Sequence, residues 1–141
     1  MPTIEFHYED NFELDNVDTF LSWIKRVVNS ENYKVGDINY IFSNDTYLGR
    51  IHEQFMNNKE LTDIITFDYV EGNVVSGDIF ISIERVMENA GIYRVEFYNE
   101  LLRVMSHGLL HLMGYKDKSK EDSLLMRNKE NEKIGMFHVE Q

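Results

Sequence analysis

No cysteine occurs anywhere in the sequence. Disulfides are therefore excluded, and any metal ion would have to be held by His, Asp or Glu rather than by thiolates. Proline occurs once, at position 2, so no rigid spacer divides the chain. Its 141 residues suit one domain, 1–141, with room for a sizeable core. No segment approaches the roughly 18 consecutive apolar residues of a membrane span. The N-terminal stretch MPTIEFHYEDNFEL lacks the basic and then apolar order of a secretory signal. The expectation is a soluble, unprocessed, cytoplasmic protein. Positive charge is scarce as well, with 14 Lys and Arg against 25 Asp and Glu and a formal net charge of −11. Averaged over the surface, that disfavours polyphosphate ligands, so such a contact would need a local concentration of cations.

What is present is a chain of short periodic segments. Ile4, Phe6 and Tyr8 alternate with Glu5 and His7, as in a half-buried strand. From Asp15 to about Asn32, Val17, Phe20, Leu21, Ile24, Val27 and Val28 recur at helical spacing, with Asp15 or Asn16 as cap and Trp23 as core or groove wall rather than a base-stacking platform. Gly36 is expected to end the connection to a second strand, DINYIFSN. Asn44 or Asp45 caps a second helix with Tyr47, Leu48, Ile51 and Phe55 inward, and His52 beside that stripe reads as an ordinary surface or hydrogen-bonded residue. TDIITFDY, the turn EGN and VVSGDIFIS form a hairpin, which brings antiparallel pairing into the sheet. A helix from Ile83 is expected to be interrupted at Ala90-Gly91, with a second helical stretch starting near Val95, so that either two helices follow one another or one is kinked at Gly91. Ser119 and Asp122 mark the start of a last helix carrying Leu124, Leu125, Met126 and Ile134, followed by a loose tail from Gly135 that contains His138. The order β-α-β-α-β-β-α-α-α predicts an α+β fold, a mixed sheet of about four strands packed with about five helices.

One stretch carries more than packing. In Glu100 to Asp117, ELLRVMSHGLLHLMGYKD, apolar helix formers are interrupted by Glu100, Arg103, His107 and His111 at spacings of three, four and four. Helical positions four apart differ by about 40° around the axis and about 6 Å along it, so two imidazoles so placed can close on one ion. Gly114 supplies a helix stop that can turn Asp117 back toward them, giving the pattern HxxxHxxGxxD. Two histidines on an apolar helix can instead be hydrogen-bonded core residues, but the glycine turn followed by an oxygen donor favours a metal. His107, His111 and Asp117 match the three protein ligands that leave catalytic zinc an open position.

A zinc peptidase helix reads HExxH and uses its Glu as proton acceptor, whereas Gly108 stands at that position here. A phosphodiester substrate is easier to reconcile, because zinc polarises a phosphoryl oxygen while neighbouring cations offset charge in the transition state. Arg103 and Lys116, Lys118 and Lys120 are the candidate cations, although the lysines can equally be a solvated turn. Glu100 either orients a histidine or pairs with Arg103.

HGLLHLMGYKD resembles the signature HGxLHLxGYDH of the YbeY family, ribosome-associated metallo-endoribonucleases. TDIITFDY and GDIFIS resemble that family's TDVLSFPY and GDIxIS, and FMNNKELTD takes the place of its YRGxDxPTD, so the likeness spans about residues 36 to 122. The resemblance implies a single-strand-specific endoribonuclease with one zinc ion per chain. It further implies a role in late ribosome assembly, in 16S rRNA 3′-end maturation and in ribosome quality control, with single-stranded rRNA and the small ribosomal subunit as partners. A metal-stabilised rRNA- or ribosome-binding assembly factor with little nuclease activity is the alternative. Two departures stand out. The family's third histidine falls at Asp117, and its arginine aligns with Met56, which leaves Arg50 and Arg103 as the substitutes expected at the phosphate.

Overall fold

Alternation of β-branched and aromatic residues sets the centre of the sheet. Ile38, Tyr40 and Phe42 all point to one face and are fully buried, as period-two side-chain direction requires. The computed structural model describes residues 2–56 and 63–139, and the side chains of Phe55, Met56 and Val139 lie outside that description. The chain runs β1 (Ile4–Tyr8), α1 (Val17–Ser30), β2 (Lys34–Ser43), α2 (Asp45–Met56), β3 (Ile64–Asp68), β4 (Val74–Ser82), α3 (Ile83–Tyr93), α4 (Phe97–Leu112) and α5 (Lys120–Val139). This is the element order expected from periodicity. The four strands lie in the order β1-β2-β4-β3, with β1 and β4 parallel to β2 and β3 antiparallel to β4. The predicted hairpin is thus present and makes the sheet mixed.

Helix α4 packs on β3 and β4 and is flanked by α3 and α5, while α1 rests on β2 and α5. Leu101, Leu102, Met105, Leu109 and Leu110 of α4 are buried against the sheet, with Trp23, Phe42 and Ile79 in the same core. Burial of apolar side chains on this scale is the main favourable term, each contributing about 1.5–3 kcal/mol. Two aromatic polar groups caught in the core find backbone partners. The Tyr40 hydroxyl donates to the Met105 carbonyl at 2.9 Å, and the Trp23 indole N–H donates to the Lys133 carbonyl at 2.8 Å.

Close approach of α4 to the sheet depends on one small residue. A Cβ on Gly108 would lie 2.9 Å from Ile64 Cδ1 and 2.9 Å from Ile79 Cγ2, closer than packed carbon atoms sit. A glutamate there would have to displace Ile64 and Ile79, so the packing of α4 on the sheet works against an HExxH arrangement.

Three local expectations are corrected, and the expected cap of α1 is refined. Gly36 does not end a connection but lies inside β2, at a register irregularity between Val35 and Ile38. α1 has Asn16 at its N-cap, yet Asn16 is left-handed (φ 56°) and its side chain makes no capping bond; its carbonyl accepts from the Thr19 and Phe20 amides. α3 runs through Ala90-Gly91, because a side chain at 91 would meet open space and nothing there forces a break. The stop comes at Arg94, which is left-handed (φ 58°). Finally, the segment from Gly135 is the last turns of α5 rather than a loose tail. Phe137 holds it down, with its ring centroid 5.0 Å from Phe20 and 5.6 Å from Trp23.

Candidate metal centre

On α4 the apolar positions face inward, which leaves Arg103, His107 and His111 as a half-buried stripe along its outer face. Side chains four apart on that face meet, and the two imidazole centroids are 4.5 Å apart. Gly114 (φ 97°) then takes the positive φ that reverses the chain, with its amide donating to the His111 carbonyl and that of Tyr115 to the Leu110 carbonyl. The turn carries Asp117 back. Its Oδ2 lies 3.2 Å from His107 Nε2 and 3.3 Å from His111 Nε2, and the donor atoms of all three residues fall within 4.8 Å of one another.

Two anchors hold the turn. The Tyr115 hydroxyl donates to Glu31 at 2.7 Å, beyond the end of α1, and Ser123 Oγ donates to the Asp117 carbonyl at 2.8 Å. Ser119 caps α5 by accepting from the Asp122 amide at 3.0 Å, as its spacing predicts.

The outer nitrogens are settled by the inner ones. His111 Nδ1 is 3.0 Å from the Tyr115 carbonyl; a carbonyl only accepts, so Nδ1 carries the proton and neutral His111 presents a lone pair at Nε2. His107 Nδ1 lies 2.6 Å from Glu130 Oε2, which fixes its ring the same way. Two ring nitrogens and an anionic oxygen therefore face one point, an arrangement that a cation between them stabilises. Those three residues fit a metal ion, and the donor set of two imidazoles and a carboxylate suits zinc.

Glu130 is almost wholly buried and also accepts from Arg103 Nη1 at 3.0 Å. Arg103 Nη2 donates to Asn131 Oδ1 at 2.8 Å. Burial opposes the charged form of His107, but its bond to Glu130 and the nearby Asp117 and Asp63 carboxylates prevail and raise its pKa. Burial raises the pKa of Asp63, with the His107 charge a partial offset. Burial and then the proximity of Asp63 raise that of Glu100.

Two cavities meet at this centre. The larger, about 380 Å³, opens over His107, His111 and Asp117 and is also lined by His52, Asp63 and Thr66. The smaller, about 220 Å³, lies behind His107 between α3, α4 and α5. Arg103 reaches the smaller cavity, whereas Arg50 is exposed on α2 and lines neither. The lysines at 116, 118 and 120 are exposed on the turn. Residues 57–62, where the family resemblance places part of its arginine-bearing loop, lie outside the described residues, as does the Met56 side chain.

Sequence reasoning missed Glu130, Asp63 and the position of His52. For Glu130 a signal existed, since Met126, Glu130 and Ile134 recur every four residues and share the inward face of α5. Asp63 was hidden by its place at the mouth of a strand. His52 looked like a bystander because the cavity it lines is built from distant segments.

The family described as Endoribonuclease YbeY matches residues 4–138. The chain is 55% identical over 138 residues to Endoribonuclease YbeY of Flavobacterium johnsoniae, covering 98% of this chain and 99% of the relative. Its identity to the protein of the same name from Flavobacterium psychrophilum is 53%, with the same coverage. Among solved structures it is similar to the solution structure of TM1509 from Thermotoga maritima, with a TM-score of 0.68, 25% identity and coverage of 96% of this chain and 89% of that one. The ligand helix, its glycine turn and the hairpin beneath it are thus set in the frame of the endoribonuclease YbeY family, to which this chain belongs.

Proposed function

We propose that the chain is a zinc-dependent endoribonuclease that cuts single-stranded RNA of the small ribosomal subunit in the cytoplasm. In that reading it acts in late ribosome assembly, including 16S rRNA 3′-end maturation and ribosome quality control. The observation that carries the reading is the convergence of two imidazole nitrogens and the Asp117 carboxylate on one point beside an open cavity. His107, His111 and Asp117 hold one zinc ion. When bound, zinc polarises a phosphoryl oxygen and makes water acidic enough to act near neutral pH.

The chain's own residues do the rest. Glu130 and the Tyr115 carbonyl keep the two rings turned with Nε2 toward the cavity. Arg103, which lines the adjoining cavity, is the cation proposed to offset charge on the scissile phosphate, and Arg50, exposed on α2 away from both cavities, is the second candidate for that role. The negative surface as a whole then steers RNA only through such local cations.

A second reading, an rRNA-binding assembly factor with little cleavage, draws support from Arg103. Its guanidinium is already engaged by Glu130 and Asn131, and Met56 stands where the family carries arginine. Incubating the purified protein with single-stranded RNA, with and without a chelator and beside His111→Ala, separates the two. Cleavage that needs metal and is lost in the variant supports the nuclease; undiminished cleavage by His111→Ala would show that the activity arises elsewhere.

A further inference from the structure

The cavity behind His107 contains a carboxylate that nothing in the protein uses. Glu100 is 4% exposed, projects from α4 into this space, and among the described residues has no hydrogen-bond or ion-pair partner. Its oxygens are not among the fully enclosed unpaired side-chain atoms, so they open onto the cavity, and a mostly buried carboxylate placed in this way is held ready for donors from outside the protein. The missing donors are therefore to be sought in a ligand.

The lining narrows what that ligand is. A metal ion is disfavoured, since among the described residues only His107, His111 and Asp117 bring their donor atoms close enough together to share one. An ammonium or other cation is disfavoured by Arg103 and Arg127, which stand in the same wall. An anion would meet Glu100, Asp63 and Glu130. What remains is a neutral group that brings N–H donors to a buried acceptor pair. Its volume of about 220 Å³ is below the roughly 300 Å³ of small drug sites, so it suits one ring system rather than a whole nucleotide. Tyr93, 58% exposed, stands at the rim with a free aromatic face, and nucleobases stack on such faces. Val104 and Ile64 give the cavity apolar walls, and Asn89 adds one amide.

We propose that this cavity is a base-reading subsite that takes a guanine of the RNA substrate. The two oxygens of Glu100 match the N1–H and N2–H donors that guanine alone presents side by side on its Watson–Crick edge, and Tyr93 packs against the ring. Adenine and uracil offer one edge donor next to an acceptor, and cytosine offers an amino group next to acceptors, so none satisfies both oxygens. Because the cavity and the metal centre share His107 and Asp63, a base held here puts its own backbone beside the ligands. The assignment rests on RNA being the substrate and adds to it the base that is read.

The test is a ¹⁵N-amide titration of the zinc-loaded protein with 5′-GMP, AMP, CMP and UMP, in which the phosphate is common and only the base differs. GMP should shift the amides of Asn89, Tyr93, Glu100 and Val104 and bind about tenfold more tightly than the other three, the discrimination of a good bidentate base contact. Glu100→Gln, which keeps the shape but offers one acceptor and one donor, should abolish that preference. Equal binding of all four nucleotides, or shifts confined to the metal ligands, would overturn the subsite. Cleavage-site mapping on a randomised single-stranded RNA separates this idea from the nuclease reading. GMP-selective binding without any cleavage removes the nuclease and leaves the subsite standing. Cleavage with no guanine at a fixed position from the cut, together with unselective binding, removes the subsite and leaves the nuclease.

Discussion

Glu130 reaches across from α5 to hold His107 at 2.6 Å with one carboxylate oxygen and Arg103 at 3.0 Å with the other. A residue far along the chain thereby fixes which nitrogen of a ligand histidine faces the cavity. A carboxylate behind a ligand imidazole also raises its basicity, and here an arginine on the same helix as the histidine keeps that carboxylate in place.

Replacing this carboxylate should weaken metal binding without unfolding the protein. Glu130→Gln keeps the volume but lowers the charge, so zinc affinity measured by competition with a chromogenic chelator should fall by about 10- to 100-fold. Arg103→Ala should produce a smaller loss of the same kind, since it frees Glu130 rather than removing it. If Arg103→Ala cuts RNA turnover while zinc affinity stays at the wild-type value, Arg103 contacts the phosphate instead of serving the ligand through Glu130.

Those two residues also show where sequence reading stops. The ligand triad was legible because its signal is local: two histidines four apart, a glycine stop and a carboxylate within one turn of chain. The hairpin was legible for the same reason, its two β-branched runs being separated by EGN. Glu130 lies 23 residues from His107 on a helix whose polar and apolar residues are poorly segregated, so its four-residue spacing from Met126 and Ile134 marked it as inward-facing without pointing to His107. Gly91 misled because glycine permits a break without requiring one, and the left-handed Arg94 ended α3 instead. The tail misled because Phe137 meets Phe20 and Trp23 of α1, a long-range contact with no local trace.

Gly108 should prove intolerant of even one methyl group. Gly108→Ala would put its Cβ 2.9 Å from side-chain carbons of Ile64 and Ile79, and overpacking of this kind costs about 1–3 kcal/mol. The ordinary gain in helix propensity, about 1 kcal/mol, only partly offsets that. Thermal unfolding of the metal-free protein should show a lowered Tm for Gly108→Ala and a larger drop for Gly108→Glu. An unchanged Tm in Gly108→Ala would mean that α4 rides higher on the sheet than the structure has it.

Acid should act on the protein through Glu31. Burial opposes its ionisation, but hydrogen bonds from Lys133, Tyr115 and Lys129 prevail and lower its pKa from 4.5 to about 2. A depressed carboxylate contributes stability that is fully present above its unfolded pKa and is lost as pH falls through the folded one. The window is thus from about 4.5 down to about 2. A shift of this size corresponds to roughly 3 kcal/mol, and about half of that after solvent screening. Urea midpoints taken in chelator should fall across this window in wild type. Glu31→Gln should start lower at neutral pH, because Lys133, with a fully buried side chain, keeps only Ser30 and Glu132 as partners, and it should vary less between those pH values. Parallel curves for the two proteins would exclude Glu31 as the group responsible.

Asp117 tests the metal site most directly, because its side chain can be changed with little effect on the core. It is 38% exposed and sits on a turn held by Tyr115 and Ser123 through other atoms. Asp117→Ala should therefore keep the fold and lose the metal, read as under one zinc per chain after dialysis. Asp117→His offers a third nitrogen donor from the same position of the turn. Exchanging an anionic ligand for a neutral one leaves more positive charge on the ion and makes its water more acidic. The acid limb of the kcat/KM profile for RNA cleavage should then move to lower pH in Asp117→His than in wild type. Movement toward higher pH, or full zinc retention by Asp117→Ala, would show that this oxygen is not a ligand and that the two histidines bind the ion with some other partner.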